Sequence, residues 1–142
     1  MKVIDGTNMI LGRVASNVAK MLLEGEEVAI VNAGKMVISG DLPYLVEKYN
    51  ARRRMKDKST PEHSPKWPRR PDIFARRIVR GMLPWDSSRG RQAFRRLRTY
   101  QDVPKELEAA DRVALPGASA EKLNTKFHSV ELLCSRLGYT RR

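Results

Sequence analysis

Short apolar runs and one amphipathic segment make up the amino-terminal third of the chain. Residues 2–5 (KVID) form one run, and residues 28–33 (VAIVNA) form a second that is almost uninterrupted by polar positions. An unbroken apolar run of this length is typical of a strand that is covered on both faces, as in a parallel sheet. Residues 36–39 (MVIS) repeat the signal and end at Gly40. The pattern therefore predicts three strands.

Helical periodicity separates the first two of these runs. Residues 12–25 (GRVASNVAKMLLEG) place their apolar side chains on one face at about 100° per residue. These side chains are Val14, Ala15, Val18, Ala19, Met21, Leu22 and Leu23. A strand, a helix and a strand with a right-handed crossover indicate an α/β protein. Further helices are predicted over residues 41–50, with Pro43 in the first turn, and between a Ser129 cap and Gly138.

Near the middle of the chain, two more segments separate apolar side chains from arginines. The first begins at Asp72, a suitable N-cap, and ends before Pro84, and the second begins after Ser87 or Ser88. The apolar side of the second comprises Ala93, Phe94 and Leu97. The basic sides comprise Arg76, Arg77 and Arg80 in the first helix and Arg91, Arg95 and Arg98 in the second. We expect each helix to pack its apolar side on a core and to present its basic side to a partner.

Positive charge is concentrated in the middle third. The chain has 142 residues and a net charge of +12, and its 41% hydrophobic residues fit a single globular domain over residues 1–142. Residues 48–98 hold seventeen Lys and Arg against four Asp and Glu, whereas the segments on either side are close to neutral. Four prolines within residues 56–71 predict an extended basic loop. A surface this basic favours a polyanionic partner, either nucleic acid or an anionic membrane.

The choice of arginine narrows the partner. Residues 75–98 contain eight arginines, no lysine and a single acid, Asp86. Guanidinium groups bind phosphate oxygens in pairs and stack on bases. An ordinary solvated surface mixes both signs of charge, which this segment does not. A helix that lies on a membrane has a large apolar face for the lipid, whereas the apolar faces of these two helices are needed for the protein core. The segment therefore favours nucleic acid. Trp67 and Trp85 lie in the same third, where stacking on unpaired bases and packing in the core are equally good interpretations of both.

Groups that carry catalysis or bind metals are missing from the sequence. His63 and His128 are the two histidines, and neither stands at metal-ligand spacing from Cys134, the single cysteine. There is no phosphate loop of the Walker type, no G-x-G-x-x-G after a strand and no pair of carboxylates suited to acid–base work. We therefore expect no enzymatic activity, no small-molecule substrate, no cofactor and no metal. One cysteine, no bilayer-length apolar run and no signal-peptide pattern favour the cytoplasm and no membrane partner.

One region carries a family resemblance. Residues 69–100 (RRPDIFARRIVRGMLPWDSSRGRQAFRRLRTY) resemble the signature region of the family of the thirteenth protein of the large ribosomal subunit, in its archaeal and eukaryotic style. The residues that carry the pattern are Gly81, Met82, Leu83, Pro84, Arg89, Gly90, Arg91, Ala93, Leu97 and Tyr100. Residues 3–16, 28–40 and 122–138 are also similar to the family, the last in its archaeal form. The similarity covers nearly the whole chain, but residues 56–66 and 101–118 depart from it, and the latter receive no role.

The resemblance implies a fold and a role. The family has a three-layer α/β/α structure around a small, mostly parallel four-stranded sheet. The fold expected for this chain is this structure together with the basic helices and an extended basic loop. Its members bind large-subunit ribosomal RNA as structural components, with no catalytic activity, cofactor or metal. Carried over by position, the RNA-facing residues are Arg76, Arg77, Arg80, Arg89, Arg91, Arg95 and Arg98. From their charge and place in the basic segment, we add Arg52, Arg53, Arg54, Lys56, Lys58, Lys66, Arg69 and Arg70.

The sequence therefore predicts a structural constituent of the large ribosomal subunit. It would bind and stabilise large-subunit ribosomal RNA during assembly, contact neighbouring ribosomal proteins and not require homo-oligomerisation. One alternative is a free regulator that binds messenger RNA or DNA through the same basic surface. Another is an RNA-modifying or nucleotide-using enzyme built on a parallel sheet, which the missing phosphate loop disfavours.

Overall fold

The computed structural model describes residues 1–115 and 117–141, and within them it contains five α-helices and five short strands. In chain order the elements are β1 (Lys2–Asp5), α1 (Leu11–Leu23), β2 (Val28–Val31), β3 (Val37–Ser39), α2 (Leu42–Arg54), α3 (Pro71–Gly81), α4 (Ser88–Arg95), β4 (Leu97–Thr99), β5 (Phe127–Ser129) and α5 (Val130–Arg136). Single turns of 3-10 helix occur at Ala33–Lys35, Pro61–His63, Lys105–Leu107 and Ala120–Lys122.

The central strand of the main sheet is β2. It pairs in parallel with β1 on one side and with β4 on the other, so that Val28 lies beside both Lys2 and Leu97. All four residues of β2 are buried, which explains why its sequence has no polar position. The predicted α/β class with a small, mostly parallel sheet is confirmed.

The two faces of this sheet are covered differently. Ile4 and Ile30 face a core that also contains apolar side chains of α1, α3 and α4. Val3 and Val31 face a second cluster, which is closed by Leu107 and neighbouring residues of the chain after β4. The expected helical layer is therefore replaced on this second face by a loop with one 3-10 turn. The loop lies in the segment to which the sequence assigned no role.

In place of the expected four-stranded sheet, the structure has a three-stranded sheet and a separate two-stranded sheet. β3 pairs with β5 in antiparallel orientation, outside the β1–β2–β4 sheet. The division begins at Asn32, whose left-handed φ of 55° starts the Ala33–Lys35 turn. After that turn the Val37 N–H donates to the Met9 carbonyl (2.9 Å), so β3 follows the segment after β1 instead of joining the main sheet. β5 itself was not predicted, because its three residues show no clear alternation.

The boundaries of α3 and α4 differ from the predictions. α3 begins at Pro71, which is favourable at a first helical position, so Asp72 is not the N-cap. Asp72 lies inside the first turn and accepts hydrogen bonds from Arg70, with a shortest distance of 2.7 Å. α4 starts after Ser87, whose hydroxyl accepts from the Gly90 N–H as a cap, but it stops at Arg95.

The residues predicted to end α4 form β4 instead. Leu97 is buried and pairs with Val28, so strand pairing overrides the helical spacing of the segment. Arg98 therefore lies on the strand, away from the helical stripe to which it was assigned. α2 differs in the opposite sense, because it continues beyond the predicted end at residue 50 and makes residues 51–54 helical as well. At the carboxyl end, the predicted cap Ser129 accepts from the Leu132 N–H, and Gly138 follows the helix with a φ of 96°.

Candidate nucleic-acid interface

Trp67 anchors the basic loop between two helices. Its ring centroid lies 5.5 Å from that of Tyr49 on α2 and 6.3 Å from that of Phe74 on α3. Two arginines stand over the same indole, with guanidinium carbons 4.9 Å (Arg52) and 5.6 Å (Arg77) from its centroid. The packing interpretation of Trp67 thus describes its surroundings, and this packing fixes the position of two predicted RNA-binding residues.

A second aromatic pair supports two more arginines. The Arg80 guanidinium carbon is 3.8 Å from the centroid of Trp85, and that of Arg76 is 4.7 Å from the centroid of Phe94. The two rings meet edge to face, with centroids 5.4 Å apart. Partial burial, and then the charge of Arg77, lower the pKa of Arg80. Arginine remains protonated in proteins. The site therefore holds closely spaced guanidinium charges above aromatic rings of the protein.

Two adjoining grooves follow from this arrangement. One, of about 680 Å³, is lined by Arg52, Trp67, Arg77, Arg80 and Trp85 among others. The other, of about 410 Å³, shares part of that lining and adds Lys66, Arg76 and Phe94. We call these eight residues the arginine–aromatic surface. It brings together predicted site residues from α2, the basic loop and α3.

A third pocket adjoins this surface at Arg76. It has a volume of about 400 Å³ and lies at the edge of β4, and we call it the β4-edge pocket. Its lining residues are Arg76, Arg95, Leu97, Arg98, Thr99 and Tyr100. The structure thus places Arg95 and Arg98 beside Arg76, although they come from different elements.

Two predicted site residues also have structural partners at the ends of helices. Arg53 donates to the Leu137 carbonyl (3.3 Å) at the end of α5. Arg89 donates to the Leu23 carbonyl (3.3 Å) at the end of α1. Cationic donors at these positions satisfy free carbonyls and complement the helix dipole. Both residues hold the fold together at the margin of the basic region.

Other predicted residues lie outside the arginine–aromatic surface without converging on it. Lys56 and Lys58 are exposed on the basic loop, Arg69 and Arg70 are exposed before α3, and Arg91 is exposed on α4. Arg54 lines a separate groove on α2 together with Arg136 of α5. The fifteen predicted basic residues therefore form one organised centre and a scattered periphery.

Sequence reasoning missed part of the site. It placed Phe94 only in an apolar arc and did not single out Thr99, which lines the β4-edge pocket. The signal for Thr99 was its position directly after Arg98, at the end of a strand that was read as helix. It also left out Arg96, which donates to the Leu22 carbonyl (3.2 Å) and joins Arg89 at the end of α1.

The positive charge of this region is largely uncompensated. Of the five ion pairs among residues 1–115 and 117–141, only Arg70–Asp72 includes a predicted RNA-binding residue. Among all the residues that line the two grooves and the β4-edge pocket, Asp86 is the single acid. Arginines held close together without acids favour a polyanionic ligand.

The remaining candidate groups have structural surroundings. Cys134 is a fully buried core residue, and burial raises the pKa of its thiol to about 12. His63 is exposed in a 3-10 turn, and His128 is half-buried in β5. Among the described residues, no three His, Cys, Asp or Glu side chains converge as metal ligands would. In the same residues, none of the helices combines the length and the apolar character that crossing a bilayer requires.

Comparison with known proteins decides the family. The sequence model for ribosomal protein L13 matches residues 1–106, which include the main sheet, both grooves and the β4-edge pocket. The chain belongs to the ribosomal protein L13 family. Similarity extends beyond residue 106 in full-length relatives. The chain is 45% identical to the large ribosomal subunit protein uL13 of Methanococcoides burtonii over 97% of its own length and 98% of the relative's.

Two further archaeal relatives agree with this assignment. The protein of the same name from Methanocaldococcus jannaschii is 41% identical over 97% of this L13-family chain and 98% of its own length. The protein of the same name from Aeropyrum pernix is 42% identical over 96% of this chain and 89% of its own length. The resemblance inferred from residues 69–100 is therefore confirmed, including its archaeal style. So is the prediction that the chain is not an enzyme, because L13-family proteins are structural components of the ribosome.

Proposed function

We propose that this L13-family chain binds and stabilises large-subunit ribosomal RNA during assembly of the large subunit, through the arginine–aromatic surface. The observation that carries the proposal is the set of guanidinium groups held over Trp67 and Trp85 with almost no neighbouring acid. The shared name of the relatives supports a structural role in the large ribosomal subunit, and hence a cytoplasmic location.

Preorganisation is the physical reason why these arginines suit RNA. A guanidinium that already lies on an aromatic ring loses less conformational freedom when it binds. Its N–H groups stay free at the edge for phosphate oxygens, while its outer face can stack on a base. Arg52, Arg77 and Arg80 all have this arrangement. The surface therefore matches a folded RNA that presents both backbone and unpaired bases.

We assign the predicted residues to three groups, which are central contacts, peripheral phosphate contacts and the two tryptophans. The central contacts are Arg52, Lys66, Arg76, Arg77, Arg80, Arg95 and Arg98. The peripheral phosphate contacts are Arg54, Lys56, Lys58, Arg69, Arg70 and Arg91. Arg53 and Arg89 also belong to the periphery, where they would bind phosphate through the guanidinium nitrogens that do not donate to a helix-end carbonyl. Trp67 and Trp85 are both half-buried and line the larger groove, where a base would contact them. Neighbouring ribosomal proteins would contact the surface outside this region.

The proposal predicts a specific loss on mutation. The double variant Arg77→Gln/Arg80→Gln removes two charges from the centre of the surface without touching the buried core. We expect its circular dichroism to be unchanged. Its recovery in large subunits, measured by sedimentation of a cell lysate, should fall by a factor of about ten or more, because two charged contacts are lost. A matched control is Lys20→Gln/Lys35→Gln, which removes two exposed charges elsewhere.

Two results would contradict the proposal. Normal incorporation of the arginine variant would show that the surface does not bind RNA during assembly. Sedimentation of the unmodified protein apart from large subunits, and a change in that position after ribonuclease, would instead favour the free RNA-binding regulator.

A further inference from the structure

The β4-edge pocket differs in chemistry from the two aromatic grooves. Of its six lining residues, three are arginines, two carry hydroxyl groups and one, Leu97, is apolar. No acid lines it, whereas Asp86 lines the larger groove. With so many donors and so little apolar lining, the pocket suits a compact anion better than a base.

Arg76 contributes a donor that lacks a partner. Its guanidinium lies over Phe94, and its Nε is buried without any hydrogen-bond acceptor among the described residues. Buried polar groups are almost always paired, and an unpaired charged donor is costly. Because Arg76 also lines the adjoining pocket, an anionic oxygen there would lie against the same guanidinium and offset the cost of its buried charge.

The backbone of β4 adds a further donor at the same place. The Val28 N–H donates to the Arg96 carbonyl, and the Tyr100 N–H donates to the Ile30 carbonyl. Because alternate residues of a strand face opposite sides, the N–H of Thr99 points away from β2. Among the described residues β4 pairs only with β2, so this N–H lies on the open edge of the sheet. Thr99 itself also lines the β4-edge pocket.

Positive charge converges on the pocket from three elements. Arg76 comes from α3, Arg95 from the last turn of α4 and Arg98 from β4. Like charges that are brought together repel each other unless an anion lies between them. Paired N–H groups of guanidinium match the oxygens of a phosphate in both charge and geometry.

We propose that the β4-edge pocket binds one phosphodiester group of the RNA, with Arg76, Arg95 and Arg98 as its ligands and the Thr99 N–H and hydroxyl as additional donors. This inference rests on the proposed function, since it names the RNA group that one part of the basic surface holds. Inorganic phosphate shares the same chemistry, so the test must separate the two sources.

Ethylation interference identifies the individual phosphates of the RNA whose modification prevents the protein from binding. Transcribed archaeal large-subunit ribosomal RNA is ethylated at random phosphates and selected for binding to the full chain. We expect Arg98→Gln to make one phosphate insensitive to ethylation while the other interfering phosphates remain. Affinity should fall about tenfold and the salt slope by about one, because one charged contact is lost.

Two variants sharpen the experiment. Thr99→Val keeps the side-chain shape and removes the hydroxyl, so it should weaken interference at the same phosphate as Arg98→Gln. Lys20→Gln removes an exposed charge on α1 and should leave the whole pattern unchanged. In a parallel titration of the free protein, inorganic phosphate should shift the Thr99 amide resonance only weakly, at concentrations far above those at which RNA binds.

The outcomes distinguish this inference from the proposed function. If the unmodified protein binds RNA but both pocket variants keep the full interference pattern, the pocket does not hold a phosphodiester, and the proposed function stands. If the unmodified protein does not bind the RNA, the proposed function fails and this inference fails with it. If inorganic phosphate saturates the pocket as tightly as RNA does, the phosphodiester is not the preferred ligand.

Discussion

The guanidinium of Arg80 lies over the indole of Trp85 with its carbon 3.8 Å from the ring centroid, which is the shortest of the five arginine–ring contacts among the described residues. Phe94 holds the same indole from the side, at an interplanar angle of 84°. The orientation of an arginine on α3 thus depends on a ring in the turn after that helix and on another ring in α4. We expect the two helices to act together in presenting Arg80.

Removal of the indole should weaken RNA binding without removing a charge. In Trp85→Ala, Arg80 loses a cation–π contact of about 0.5–2 kcal/mol and becomes free to rotate. We expect affinity for large-subunit ribosomal RNA, measured by filter binding, to fall by a factor of about three to ten. Trp85→Phe keeps an aromatic face and should retain most of the affinity. Equal affinities for all three proteins would show that the stack does not orient Arg80.

Gly90 permits a close contact that explains its place in the family pattern. A side-chain carbon on Gly90 would overlap the carbonyl oxygen of Pro84, which belongs to the turn between α3 and α4. Gly90→Ala must therefore displace α4 from that turn. We expect the free energy of unfolding, from urea denaturation, to fall by about 1–3 kcal/mol or more, as for other overpacked sites.

Gly12 provides a matched control for this substitution. It lies in the first turn of α1, and apart from its chain neighbours and the backbone of the helix no atom is within 4 Å of an added side-chain carbon. Gly12→Ala should raise the free energy of unfolding by about 0.4–1 kcal/mol, because alanine restricts the unfolded chain and favours helix. A similar effect of both substitutions would contradict the proposed overlap at Pro84.

Arg96 should stabilise the fold, in contrast to its exposed neighbours. It is half-buried and donates to the Leu22 carbonyl at the end of α1. Arg96→Gln should lower the free energy of unfolding by about 1 kcal/mol, since a cation and a hydrogen bond at a helix end are lost together. Arg91→Gln, on the exposed side of α4, should change it by less than about 0.5 kcal/mol. Equal losses would mean that the contact contributes nothing.

Salt should weaken RNA binding steeply. If the central contacts engage on the order of six to ten phosphates, affinity should fall roughly a thousandfold or more between about 50 and 200 mM salt. The logarithmic slope should decrease by about two in Arg77→Gln/Arg80→Gln, because each arginine neutralises about one phosphate. A shallow slope in the unmodified protein would indicate that uncharged contacts dominate. An unchanged slope in the variant would exclude these two arginines from phosphate contact.

Elements with a regular pattern were predictable from the sequence. The burial of α1 and the complete enclosure of β2 follow directly from their apolar periodicity. Caps were also predictable where a hydroxyl stands before a helical segment, as at Ser87 and Ser129. In each case a local signal and the tertiary structure favour the same conformation.

Elements that depend on distant partners were not predictable. Leu97 continues the helical spacing of α4, but pairing with Val28, far away in the sequence, makes it a strand residue. The basic segment was recognisable by charge alone, yet charge does not tell which arginines have structural partners. Arg89 and Arg53 looked like their neighbours in sequence, and only the positions of the ends of α1 and α5 reveal their second role.

The buried thiol of Cys134 should make stability depend on alkaline pH. Burial, and then the negative charges of Asp72 and Glu131, raise the pKa of the thiol to about 12 in the folded protein. An unfolded cysteine has a pKa of about 8.5, so between these values the unfolded chain releases a proton that the folded chain keeps. The unfolded state then binds fewer protons, and the free energy of unfolding falls as pH rises, by up to about 1.4 kcal/mol per unit.

Comparison with Cys134→Ala isolates this effect. The variant loses some packing at every pH, but it has no thiol to titrate, so its free energy of unfolding should fall less steeply above about pH 9. Burial also raises the pKa of Tyr49, and the charge of Cys134 adds a smaller part of that rise. Most of the Tyr49 contribution is therefore common to both proteins, and the part that depends on Cys134 belongs to the difference between the two curves. Urea denaturation from pH 7 to 10 measures the two curves. Parallel curves would mean that the thiol is accessible to solvent in the folded protein, which would contradict its complete burial in the core.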